Sequence, residues 1–160
     1  MKYNIKKILN KNEIDNIYSN FIKLSYQKNV FCSKEILKFF FNDLDLYTVC
    51  KNDKIKSFVY LFKDKNNFAI SEPFIYSGIV NHPKLNMKNS RYNNEVFKIN
   101  ELIINEIFST YKNININLPP NFFDARPFLW FNYGEDNKKK FLVTPCYTSI
   151  IDIQSREPID

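Results

Sequence analysis

Asp124 and Arg126 stand two residues apart in the stretch FDARPFLWFNY, residues 123–133, which sets five aromatic rings around one carboxylate and one guanidinium. In an extended segment such residues point the same way, and Pro127 pushes Arg126 away from helical geometry. A carboxylate–guanidinium pair beside Trp130 and Tyr133 could hold an anionic or sugar-like ligand through charge-assisted hydrogen bonds and stacking. It could equally be a structural ion pair that tethers a loop over the core. A second constellation, Pro73-Phe74-Ile75-Tyr76-Ser77-Gly78, is an aromatic run ending in a glycine. Gly78 would let the backbone turn or a ligand approach closely; the alternative is a core strand with a bend.

Other chemistries find no residues to carry them. Phosphate-binding loops need several glycines, and the chain has two, Gly78 and Gly134. His82 is the only imidazole and falls in a polar loop, so no Ser/His/Asp or Cys/His arrangement can be built. Cys32, Cys50 and Cys146 are odd in number, far apart and without a C-x-x-C pair. They read as buried, reduced thiols of a cytoplasmic protein, and zinc is not expected. Asp43 and Asp45 would share a face of a strand, and read as a solvated turn before one.

The elements that must position these residues follow from periodicity. Residues 11–27 repeat apolar side chains at helical spacing, with Asn10 and Glu13 resembling a capping box. Ser33 can cap a short second helix. Residues 46–50 and 57–62 are β-prone runs around the turn Lys51-Asn52-Asp53-Lys54, a hairpin. Strands are expected at 68–71 and in 73–80, a loop at 81–93 and the clearest helix at 95–111. A half-buried strand at 114–118 ends in Pro119-Pro120. Residues 128–133 and 141–153 then read as two strands joined by a polar turn. The class is α+β, a mixed, mostly antiparallel sheet flanked by helices.

At 160 residues, 44 % hydrophobic and 17 % aromatic, the chain can form a core without staples. The net charge of +6 comes from 20 Lys against 3 Arg, scattered among asparagines. That is a solvated surface, with a basic groove for an anionic ligand left open, and not the clustered Arg of a specific nucleic-acid reader. The N-terminus has no apolar signal-peptide core, and no apolar stretch is long enough to span a membrane.

Taken in order, Pro73, Phe74, Tyr76 and Gly78, then Leu118-Pro119-Pro120, then Asp124, Arg126, Pro127, Phe128, Trp130 and Tyr133, then 147–153, form a set of short motifs covering residues 30–153. The set resembles the FemABX-like branch of the GNAT acyltransferase superfamily. The segment VFCSKEILK also resembles that family's lead into its first helix-borne lysine, which in some members contacts a substrate phosphate, and Lys38 would occupy that position. Cys32 and Ile36 depart from the family pattern, which has Gln and an aromatic at these positions.

The resemblance implies two GNAT-like domains per protein and transfer of an amino-acyl or acyl group onto an amine of a sugar nucleotide or cell-wall precursor. The donor would be acyl-CoA or aminoacyl-tRNA. It implies residues 1–153 as one GNAT-like domain, and 154–160, with Ser155 and Pro158, as the start of a helix leading to a second domain. With no glycine loop for the donor pyrophosphate, no cofactor is expected on this domain, and transferase activity is not expected from it alone. Lys38, Tyr76, Gly78, Asp124, Arg126, Trp130 and Tyr133 are the expected substrate-binding residues, for an anionic small-molecule acceptor. Catalytic residues are not identified. Partners would be the second domain or a further copy of the chain. The other reading is a binding or interaction module with a degenerate GNAT-like fold that catalyses nothing.

Overall fold

A computed structural model describes residues 2–84 and 87–147. The sheet is built on the hairpin of β2 (Leu44–Lys51) and β3 (Lys54–Lys63), antiparallel from Leu44↔Phe62 to Lys51↔Lys54. Asn52 and Asp53 take φ of 49° and 59°, the paired left-handed geometry that matches strand twist in a two-residue turn. β1 (Asn4–Lys7) lies antiparallel along β2. On its other edge β3 divides its length between two partners. β5 (Gly78–Asn81) pairs with 57–60, and β4 (Phe68–Ile70) pairs with Phe62 and Lys63. β6 (Asn113–Ile114) adds the one parallel contact among the described strands, to β4.

Alternation along β3 assigns the two cores. Phe58 and Tyr60 face one side, among Ile14, Ile17, Leu37 and Phe74 under α1 (Glu13–Asn20) and α2 (Lys34–Phe39). Val59 and Leu61 face the other, under Ile99, Ile103 and Ile107 of α3 (Asn89–Glu106) and its 3-10 extension. Helices therefore cover both faces, and the α+β class with a mixed, mostly antiparallel sheet is observed. Ser33 caps α2 as expected, its side chain accepting from the Ile36 amide.

Several elements differ from the sequence expectation. The 128–133 strand is a short helix, α4 (Arg126–Trp130), with Pro127 in its first turn. There the fixed φ of proline suits a helix start and its missing N–H costs nothing. Residues 141–147 carry no strand, and 148–153 lie outside the described residues, as does the expected helix start at 154–160. The first helix stops at Asn20 and continues only as a 3-10 turn, Ile22–Leu24. Asn10 makes no capping box; its side chain accepts from the Asn12 amide. α3 begins six residues before Glu95, because its first turns are exposed and need no apolar stripe. Residues 73–77 form a turn rather than a strand. Cys32 is buried, but Cys50 is half-buried and Cys146 exposed. Asp45 is no solvated turn residue: it is 6 % exposed on β2. Among the described residues no helix is long and apolar enough to cross a membrane, and no three His, Cys, Asp or Glu side chains gather as metal ligands.

Candidate functional site

Where β5 ends, the chain is pinned by residues remote in sequence. The Asn81 amide donates to Gln27 Oε1 at 2.7 Å, and its carbonyl accepts the Ser25 hydroxyl at 2.8 Å. Gln27 Nε2 donates onward to the Asn121 carbonyl at 3.1 Å, and Asn121 Nδ2 to the Tyr26 carbonyl at 2.9 Å. These ties hold the 25–27 loop, the strand end and the 121–124 loop as three walls. The fourth is α3, on which Tyr92, Val96 and Asn100 recur every four residues along one face.

The walls enclose two cavities of about 220 and 30 Å³ that share Gln27, Asn81, Tyr92, Asn93 and Phe123. Lys84 and Asn89 border the larger, and Asn100 and Asp124 the smaller. The side-chain amides of Asn81 and Asn100, only 2 % and 0 % exposed, have no hydrogen-bond partner among the described residues. A buried amide left so costs about 1–3 kcal/mol. Each therefore calls for a partner from solvent or a ligand.

His82 lines the larger cavity beside them, stacked edge-on to Tyr92. Its Nδ1–H donates to the Pro83 carbonyl at 3.0 Å, which leaves Nε2 as the basic nitrogen. Burial, and then the Lys56 ammonium, lower the imidazole's pKa below its ordinary value. Glu95 Oε2 lies 3.7 Å from Nε2, while its other oxygen meets Lys51 at 3.2 Å and Lys56 at 3.4 Å. Burial acts to raise the Glu95 carboxyl, but the two lysines outweigh it and hold the carboxyl low. With Nε2 unpartnered among the described residues, no hydroxyl or thiol is poised there as a nucleophile. Among the described residues the arrangement can bind and orient a ligand, and the Ser25 hydroxyl on its wall is spent on the Asn81 carbonyl.

The expected site residues fall in different places. Asp124, Arg126 and Trp130 come together. Arg126 Nε and Nη2 grip the Asp124 carboxylate at 2.8 and 2.7 Å, and the guanidinium lies 5.3 Å from the Phe97 ring centre and 5.7 Å from that of Trp130. The Arg126 fork holds the Asp124 carboxyl below the usual range, against its partial burial. Asp124 also accepts the Arg126 backbone amide, so the pair forms across a local turn into α4, not along a strand. Two guanidinium nitrogens spent on Asp124 make this a loop tether at the cavity's edge. Tyr133 is exposed in the turn beyond α4. Lys38 is on α2, its ammonium 2.5 Å from Asp15 of α1. The Tyr76 carbonyl accepts the Tyr60 hydroxyl at 3.2 Å. Gly78, at φ 104°, has Ile116 and Leu118 side chains packed over it. None of Lys38, Tyr76, Gly78 and Tyr133 lines the cavities.

Sequence reasoning missed Gln27, Asn81 and Asn100. Asn100 had a signal: it sits between Ile99 and Ile103 on the apolar stripe of α3, where a polar residue is out of pattern.

No family model matches the chain, and no curated protein matches it. Among solved structures it is similar to one described as a possible acetyltransferase from Clostridium difficile 630. The identity is 11 % over 95 % of this chain and 100 % of that one, with a TM-score of 0.43. A likeness at that level carries no functional argument.

Proposed function

We propose that this chain is the acceptor-binding half of a FemABX-like transferase of the GNAT superfamily, which places an amine for acylation by a donor held on a second GNAT-like domain. The observation that carries the reading is the cavity at the junction of β5 and α3, walled by amides and aromatic rings, with no hydroxyl or thiol on His82 Nε2 among the described residues. GNAT-type transfer needs no enzyme nucleophile, because the acceptor amine itself attacks the donor carbonyl. Orientation then supplies much of the rate. Of the residues that carry the family resemblance, Asp124 lines the smaller cavity, and its pairing with Arg126 tethers the 121–124 wall. Lys84 at the rim gives an anionic acceptor one cation. A phosphate reaching Lys38 would compete with Asp15 for it. The turn between β5 and α3 contains no glycine, so acyl-CoA or aminoacyl-tRNA is assigned to the other half.

The test is transfer measured as CoA release or aminoacyl-tRNA consumption, by this chain alone and by a two-domain form, with amine-bearing sugar nucleotides as acceptors. The expected result is acceptor binding without turnover for the chain alone and turnover for the two-domain form. Turnover by the 160 residues alone overturns the division of labour. Binding without transfer in every form leaves the non-catalytic module.

A further inference from the structure

The acceptor reading leaves open which part of a ligand enters between β5 and α3. We infer that Asn81 and Asn100 together read an uncharged group that presents a donor beside an acceptor, a carboxamide or a vicinal diol. The inference rests on the acceptor reading for the ligand's role, and on the cavity alone for its chemistry.

Each asparagine offers one carbonyl acceptor and one NH₂ donor, and all four of these atoms are buried and unpartnered among the described residues. A group complementary to them must both accept and donate, which carboxylates and fully ionised phosphates do not. The nearby carboxylates are paired: Asp124 is gripped by Arg126, and Glu95 is neutralised by two lysines. Lys84 is hydrogen-bonded to the neutral Asn89 at the border of the larger cavity, which Asn100 does not line. Tyr92 and Phe123 give flat apolar faces beside the amides, the combination that binds small polar rings and amide planes. The size fits as well. Asn81 borders both cavities and Asn100 only the smaller, about 30 Å³ beside the larger of about 220 Å³, both below the roughly 300 Å³ at which ordinary ligand sites begin, so the group that reaches both amides is small.

Solvent is the competing occupant. The smaller cavity, about 30 Å³, has room for a water, and a buried water makes about three hydrogen bonds. A water making about three bonds leaves part of the two amides unpaired, and a ligand group carrying both a donor and an acceptor would replace it.

The experiment is a ¹⁵N NMR titration of the whole chain with acetamide and N-methylacetamide in one arm and ethylene glycol and glucose in the other. Inorganic phosphate and acetate serve as charged controls. Expected are shifts at Asn81 and Asn100 with an uncharged probe, and the arm that binds tighter identifies amide or diol. Asn100→Leu, close in volume, should weaken that binding at least tenfold while leaving the urea midpoint unchanged or raised. Asn81→Leu is the second variant should the first not fold. Two results overturn the inference: phosphate or acetate binding in preference to every uncharged probe, or no uncharged probe binding while Asn100→Leu lowers the midpoint, which makes a structural water the partner. Binding that follows the expectation in a protein whose two-domain form transfers nothing sustains the inference and sinks the transferase reading.

Discussion

The Tyr111 hydroxyl, at the end of the helical segment that follows α3, donates to Asp45 Oδ2 at 2.8 Å, tying β2 to a residue 66 positions away. Lys7 and Lys63 meet the same carboxylate at 2.6 and 3.2 Å. Burial acts to raise the Asp45 carboxyl, yet Lys7, Tyr111 and Lys63 together hold it below the ordinary aspartate value. A group whose folded pKa is depressed stabilises the fold above its unfolded pKa, near 3.9, and that contribution is lost as pH falls through the lower folded value. Asp45→Asn should lower the unfolding free energy at pH 7 by about 1–3 kcal/mol, since Tyr111 then faces a weaker acceptor and two lysines lose their counter-charge. Urea midpoints from pH 7 to 3 check this: the gap between wild type and variant closes below about pH 4. A constant gap would mean that the Asp45 charge contributes nothing.

His82 makes a second titration readable, because it is the only histidine. Burial and Lys56 lower its pKa, so the neutral ring is favoured in the fold. Stability from this group is complete above the unfolded value near 6.5 and declines as pH falls towards the folded one. The imidazole proton signals should therefore titrate with a midpoint below 6.5. Glu95→Gln should move the midpoint lower still, since Glu95 pulls the other way and its two lysines remain. A midpoint above 6.5 in the wild type would show that Glu95 outweighs burial.

These partners show where sequence is legible. The β-prone run 57–62 is local, and it reads as a strand of a hairpin from its own residues. The Asn52-Asp53 turn and the Ser33 cap are equally local and were read correctly. Asp45 was misread as solvated, because Tyr111 and Lys7 reach it only once β1, β2 and the end of α3 are assembled. α4 was misread because Asp124 turns back to accept the Arg126 amide, a competition between side chain and backbone that aromatic content does not reveal. The cavity was missed for the same reason as Asp45: Gln27, Asn81 and Asn121 form its walls through hydrogen bonds spanning 54 and 94 positions. The α+β class was legible; the site was not.

Gly78 and Gly134 separate backbone strain from crowding. Both take positive φ, 104° and 80°. A Cβ on Gly78 would lie 3.1 Å from Ile116 Cδ1 and 3.3 Å from Leu118 Cδ2, whereas one on Gly134 meets nothing within 4 Å. Gly134→Ala should cost about 1 kcal/mol from conformation alone. Gly78→Ala should cost more, about 2–4 kcal/mol, with the crowding added. Equal losses in urea unfolding would mean that Ile116 and Leu118 yield freely.

Arg126 can be followed through Trp130, the chain's only tryptophan. The guanidinium does two things that depend on its flat fork: it makes two parallel bonds to Asp124 and lies near the Phe97 and Trp130 rings. A lysine keeps the charge and loses both. If geometry matters, Arg126→Lys and Arg126→Ala should change Trp130 emission alike, and both should broaden NMR signals of 121–124 at the cavity edge. If the positive charge alone is at work, Arg126→Lys would keep the wild-type spectrum while Arg126→Ala would not, and the tether would be no more than an exposed ion pair, which contributes little.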